Sequence, residues 1–132
     1  AMVGSSEWMT SSLSLRVENS NIFNSLFTYE EAESLKAEGW SIPTLEEMVG
    51  FLESIGFNQK PGEIPSAYYQ INWQYDGYID PILGEVDKGE KMHVWVADEG
   101  GNNCIIIDKD ELSFRVGKTL HNSKLSARLK RK

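Results

Sequence analysis

Residues 28–56, TYEEAESLKAEGWSIPTLEEMVGFLESIG, carry the same helix-opening signal twice. In Thr28-Tyr29-Glu30-Glu31, and again in Thr44-Leu45-Glu46-Glu47, a threonine stands three residues ahead of a glutamate. That is the spacing of a capping box: the hydroxyl takes an amide that has no partner inside the helix, and the carboxylate reaches back to the threonine N–H. Ala32 and Leu35 give the first helix its inner stripe and Gly39 stands where a C-terminal glycine belongs, so the pattern predicts a helix over about residues 29–38. In the second, Met48, Leu52 and Ile55 recur at i, i+4 and i+7, and Gly56 closes the segment. Only Gly39-Trp40-Ser41-Ile42-Pro43 separates the two helices.

Outward from this pair the periodicity changes. Upstream, residues 12–18 (SLSLRVE) alternate with Leu13, Leu15 and Val17 on one side, as a half-buried strand does, and a loop follows. Downstream, residues 58–66 (NQKPGEIPS) are a Pro/Gly loop, and residues 68–75 (YYQINWQY) alternate Tyr69, Ile71, Trp73 and Tyr75 against Gln70, Asn72 and Gln74. Residues 76–90 hold Asp76-Gly77, Pro81, Gly84 and Gly89 and predict an irregular or hairpin excursion. Strands are then expected at 91–97, 103–108, 112–116 and 124–130, separated by turn residues. Two helices segregated from a mainly antiparallel sheet make an α+β domain.

The chain has 132 residues, 40% of them hydrophobic and 25% charged, which suits one folded domain. No apolar run approaches the ~20 residues a membrane-crossing helix needs. The opening residues show neither the basic nor the apolar region of a signal peptide; residues 1–10 read as a disordered, vector-derived lead-in and 11–132 as the domain. A net charge of −7 runs against the basic footprint of nucleic-acid binders. The basic tail, with Arg128, Lys130, Arg131 and Lys132, reads as a last strand running into solvated charge. Cys104 is the single cysteine, so no internal disulfide or thiolate metal cluster forms, and Ile105, Ile106 and Ile107 mark it as an inert core thiol.

Tyr29-x-x-Ala32 followed by Gly39-Trp40-Ser41-Ile42-Pro43-Thr44-x-x-Glu47-Met48 resembles the Y-x-x-A … G-W-x-L-P-T-x-x-E-W segment of bacterial and phage C-type-lectin-like domains. These include the Fibrobacter-type major paralogous domain, the formylglycine-generating family and the variable proteins of diversity-generating retroelements. Trp95-Val96-Ala97-Asp98-Glu99 is similar to that family's W-S-S-T-E strand end, and Leu125-Ser126-Ala127-Arg128-Leu129 to its closing S-V-R-L-V strand. Met48 stands where the family has Trp and Ile42 where it has Leu. The resemblance implies two short helices on a twisted antiparallel sheet, N- and C-terminal strands paired, and Trp40 and Trp95 as core aromatics. It places the chain in a non-enzymatic branch, because formylglycine generation implies a pair of reactive cysteines.

The remaining chemistry points the same way. His93 and His121 lie on different segments without a metal-ligand spacing, and pairs such as Asp108/Asp110 and Glu30/Glu31 fall at turn or capping positions. Trp95-Val96-Ala97-Asp98 and Asp80-Pro81 echo only parts of the lectin calcium motifs, so no cofactor is expected, with a calcium-dependent carbohydrate site as the lesser alternative. The expectation is a non-catalytic binding module of adhesin or receptor-recognition type, on a bacterial surface or phage tail, that takes a protein or glycan. Tyr75, Tyr78, Asp80, Asp98, Glu99, Asn102 and Asn103 are its candidate contacts, since rigid rings beside amides lose little entropy on binding. A structural role in a fibre, for example as a trimer, is the other alternative.

Overall fold

The computed structural model describes residues 2–3, 6–9, 15–16, 23–24, 26–35, 39–57, 73–97, 103–108, 113–120 and 122–131. In chain order the elements are β1 (Met2–Val3), β2 (Ser6–Trp8), β3 (Leu15–Arg16), β4 (Phe23–Asn24), α1 (Tyr29–Leu35) and α2 (Leu45–Ser54). There follow β5 (Tyr78–Asp80), β6 (Gly84–Val86), β7 (Lys91–Trp95), β8 (Asn103–Asp108), β9 (Ser113–Lys118) and β10 (Lys130–Arg131). Among the described residues the fold is α+β, two helices with several small antiparallel sheets ordered β1-β2-β10, β3-β4, β5-β6 and β7-β8-β9.

Both helix starts form as the sequence dictates. Glu31 and Glu47 each accept their threonine's backbone N–H at 2.9 Å, while the threonine hydroxyls accept the glutamate amides at 3.2 Å. At the far end of α2 the Phe57 amide reaches the Leu52 carbonyl (3.0 Å) and the Gly56 amide the Glu53 carbonyl (3.2 Å). That paired closure needs a left-handed residue, and Gly56 supplies it at φ 108°. Thr44→Ala should lower the unfolding free energy by about 1 kcal/mol. In a urea titration it should move the midpoint and leave the slope unchanged.

The β7–β8–β9 sheet is covered on both faces. On one, Met92, Val94, Ile105 and Ile107 pack with Met48, Phe51 and Leu52 of α2 and with Trp8, Ile55 and Phe57. On the other, Trp95, Cys104 and Ile106 meet Phe27, Ala32, Ile42, Leu125, Ala127 and Leu129. Such double cover explains why β7 is buried from Met92 through Trp95 instead of alternating with solvent. Trp40 is half-buried at the margin of the second cluster, under the Arg131 guanidinium 4.9 Å from its ring centre.

The two ends of the chain meet. Trp8 pairs with Lys130 and Glu7 with Arg131, and Trp8, 3% exposed, stacks on Phe51 at 4.2 Å. Residues 6–9, set apart from the domain on sequence grounds, thus hold an edge of the core. Of the expected 12–18 strand, the described part is β3, which pairs with β4. The expected strand 68–75 does not extend to residues 73–75, which run as non-strand backbone; Trp73 and Tyr75 pack against the first cluster, and residues 68–72 lie outside the described ones.

The C-terminal reading needs correction. Residues 124–130 are not one regular strand: Lys124 bridges Ile79, Leu125 bridges Phe27, Ser126 bridges Val94 and Lys130 bridges Ser41. A segment wedged between so many neighbours satisfies its amides one partner at a time. Nor is its charge solvated. Arg128 is 2% exposed and donates from Nη1 to the Met9 carbonyl at 2.7 Å, with Trp73 under its guanidinium, and Lys130 is 5% exposed against Glu47.

Candidate functional site

The excursion at 76–90 is a hairpin, with Tyr78 opposite Val86 and Asp80 opposite Gly84. Its turn is fixed by Asp80, whose Oδ1 accepts the Ile82 amide at 2.8 Å and the Leu83 amide at 3.0 Å. Those two N–H donors hold the exposed Asp80 carboxyl below its ordinary range. At the tip of this Asp80-bonded turn, Ile82 is 82% and Leu83 73% exposed. At the base, Gly77 has φ 64°, and a Cβ there would stand 1.9 Å from the Val86 carbonyl oxygen, so only glycine closes the hairpin this tightly.

The hairpin base rests on the sheet through Tyr78, His93 and Asp87. The Tyr78 and His93 rings lie 4.4 Å apart, and His93 Nε2 is 2.9 Å from Asp87 Oδ2. Burial pushes the imidazole below its usual range and outweighs the Asp87 contact that favours its charge; a carboxylate can only accept, so Nε2–H donates to Asp87. Burial first, then the charges of Asp80 and Asp87, push the Tyr78 hydroxyl up, and it donates to Asp80 Oδ2 at 3.5 Å.

On the same sheet face as His93, a concavity of about 330 Å³ is lined by Lys91, Ile106, Asp108, Ser113, Phe114 and Arg115. The register explains the grouping. Lys91 pairs with Asp108 and Asp108 with Ser113, while His93, Ile106 and Arg115 make the next row, so these side chains leave one face of the sheet. Lys91 ties the concavity to the hairpin, since its amide donates to the Asp87 carbonyl (3.0 Å) and its carbonyl accepts the Gly77 amide (2.8 Å).

Of the sequence candidates, Tyr78 and Asp80 come together in the hairpin, and Tyr75 touches it from outside, its carbonyl accepting the Gly89 amide at 2.6 Å. Asn103 opens β8 opposite Lys118, at the other end of the sheet from the concavity. Asp98, Glu99, Asn102 and His121 lie outside the described residues. Sequence reasoning missed Ile82, Leu83, Lys91, Ser113 and Arg115. The signal available was Ile82-Leu83 set between Pro81 and Gly84, two aliphatic side chains in a turn.

Cys104 is 1% exposed, and burial pushes its thiol up to about 11. An unfolded thiol ionises near ~8.5. Between those values the unfolded state holds fewer protons than the folded one, so stability falls as pH rises, by roughly 3 kcal/mol across the window. Cys104→Ala should flatten that alkaline limb in urea titrations run from pH 8 upward; equal slopes for both chains would refute it.

Among the described residues no group of three His, Cys, Asp or Glu side chains gathers to hold a metal ion, and no helix is long and apolar enough to cross a membrane. No protein-family model, curated protein or solved structure matches the chain.

Proposed function

We propose that this chain is a surface-displayed recognition module of C-type-lectin-like architecture whose contact element is the β5–β6 hairpin. The observation that carries the reading is the hairpin tip: Ile82 and Leu83 stand in solvent on a turn locked by Asp80 and braced through Tyr78 onto His93. Exposed aliphatic side chains stabilise nothing in the isolated chain, and a preorganised backbone spares the ordering entropy of binding. The paired termini and the fully buried Trp95 support the lectin-like architecture. The partner is a protein or a glycan on a cell surface.

The test is retention of the labelled chain on an array of immobilised glycans and purified surface proteins, with and without EDTA. Wild type should be retained on a subset irrespective of EDTA, and Ile82→Ser/Leu83→Ser should lose that retention while keeping its circular dichroism. Retention of the double variant, or none by wild type, would overturn the reading, and loss in EDTA would replace it with a calcium-dependent lectin. One observation favours a role in assembly: Val116 of β9 and Leu120 just beyond are about half exposed. A light-scattering mass of three chains, abolished by Val116→Ser, would support that alternative.

A further inference from the structure

We infer that the outer edge of β9 binds an extended, acidic segment of a partner protein as an added antiparallel strand. The inference goes beyond the recognition reading and does not use the hairpin. Hydrogen-bond phase decides which groups face outward. In β7 the Lys91 N–H and C=O, the His93 C=O and the Trp95 N–H all bond away from β8, to Asp87, Gly77 and Ser126. Residues alternate in an antiparallel ladder, so Met92 and Val94 are the ones bonded to β8, through Ile107 and Ile105. The residues between them on β8, Cys104, Ile106 and Asp108, then turn to β9 and bond Gly117, Arg115 and Ser113. That leaves the N–H and C=O of Phe114, Val116 and Lys118 pointing out of the sheet. The outer side of β7 is taken by Gly77 and Ser126, whereas among the described residues β9 pairs with β8 alone, and neither Val116 nor Lys118 has a further partner.

An edge that offers bare amides and carbonyls takes an extended backbone, and the side chains beside it choose the sequence. Val116 is 49% exposed, and Arg115 and Lys118 are exposed on opposite faces of the strand. Among the described residues neither cation makes an ion pair, and Asp108, on the neighbouring strand, has a partner of its own. These two charges work against the simplest competitor, a second copy of β9. Self-pairing would bring four cations and no acid onto one seam, and edge-strand cations are a standard device against it. The same cations favour an incoming strand with one carboxylate opposite Arg115, another opposite Lys118 and an aliphatic residue opposite Val116. Charges elsewhere on the chain, net −7, are screened beyond ~8 Å at physiological salt, so the cations on the strand set the local preference.

The experiment is a titration of the intact chain, followed by amide chemical shifts and hydrogen exchange, with three capped hexapeptides. The first, TETVET, sets its two glutamates opposite Lys118 and Arg115 and its valine opposite Val116 when it runs antiparallel to β9. The second, TKTVKT, reverses the charges. The third is TETVET N-methylated at its second and fourth residues, the two whose amides bond Lys118 and Val116 in that register. TETVET should shift the amides of Val116 and Lys118, slow their exchange, and bind at least ~10-fold more tightly than TKTVKT, since two favourable cross-strand charge pairs become two repulsions. The N-methylated peptide should not bind. Arg115→Gln/Lys118→Gln should weaken TETVET about 10-fold. Val116→Pro should abolish binding while circular dichroism stays native, because the lost N–H points outward and the β8–β9 ladder keeps its bonds. Equal binding of TETVET and TKTVKT, binding of the N-methylated peptide, or shifts confined to other residues would each overturn the inference. A light-scattering mass of two chains without peptide, with slow exchange at Val116 and Lys118, would overturn it too and give the edge to a second copy. The hairpin variant Ile82→Ser/Leu83→Ser should bind TETVET as wild type does, so this inference and the hairpin reading fail separately.

Discussion

Trp95→Ala is expected to lower the stability of the folded chain by about 3–5 kcal/mol, the range for removing a buried indole. A domain of this size has only about 5–15 kcal/mol in total, so the variant should lose its cooperative urea transition or unfold within the first molar of denaturant. The indole is 0% exposed and its Nε1 donates to the Phe27 carbonyl at 2.7 Å, across the seam where the segment before α1 meets the C-terminal chain. It also takes the Tyr29 ring edge-on at 5.7 Å, tying the first residue of α1 to β7. Removing it opens a void beside Phe27, Ala32 and Leu125 that a sheet hydrogen-bonded on both sides cannot collapse into. Trp95→Phe separates the contributions. The Phe27 carbonyl also accepts the Leu125 amide at 2.8 Å, so losing the indole N–H does not orphan it. The phenylalanine variant should therefore retain most of the stability, about 1–2 kcal/mol below wild type. A fully cooperative Trp95→Ala chain near the wild-type midpoint would show that the second core cluster does not depend on this ring.

The parts of this fold that are legible in the sequence are those fixed by neighbours in the chain. Thr28, Glu31, Thr44 and Glu47 satisfy each other's amides within one turn, so their spacing alone announces two helices. The β8 strand is bounded by turn residues and filled with isoleucines, and it runs over residues 103–108 as expected. What was not legible depends on long-range partners. Arg128 and Lys130 look like a solvated tail until Met9 and Glu47, far away in sequence, are brought to them. The alternation at 68–75 suggests a strand, yet Trp73 and Tyr75 are held by contacts to the core rather than by a ladder. The site behaves likewise. Tyr78 and Asp80 could be named because aromatic and turn residues are conspicuous, but Asp80 works on its own turn, and the exposed side chains there are Ile82 and Leu83. The Lys91, Asp108, Ser113 and Arg115 group exists only through the register of three strands, which no local spacing encodes.

The same dependence on distant partners makes Glu47 the second sensitive position. One carboxylate oxygen accepts the Thr44 N–H at 2.9 Å and closes the start of α2; the other holds the Lys130 ammonium, whose side chain is 7% exposed. Burial alone would raise this carboxyl, but the hydrogen bonds from Lys130 and the Thr44 amide, with the lysine's charge, outweigh it and hold Glu47 below its ordinary range. A carboxyl depressed in the folded state stabilises that state above the ordinary carboxylate range, and the contribution disappears as pH falls through the folded value. Glu47→Ala should cost about 3–5 kcal/mol, because it leaves a cation buried without its counter-charge. Lys130→Met should cost much less, about 1 kcal/mol or under, since it removes the charge that needs a partner and leaves Glu47 free to cap α2. The distinguishing result is the double variant. Glu47→Ala/Lys130→Met should be more stable than Glu47→Ala alone, a reversal that additive contributions cannot give, because the second substitution relieves the penalty created by the first. Urea midpoints of the four chains at pH 7 test this directly, and a double variant as unstable as Glu47→Ala would mean that Lys130 finds water or another partner when Glu47 is gone.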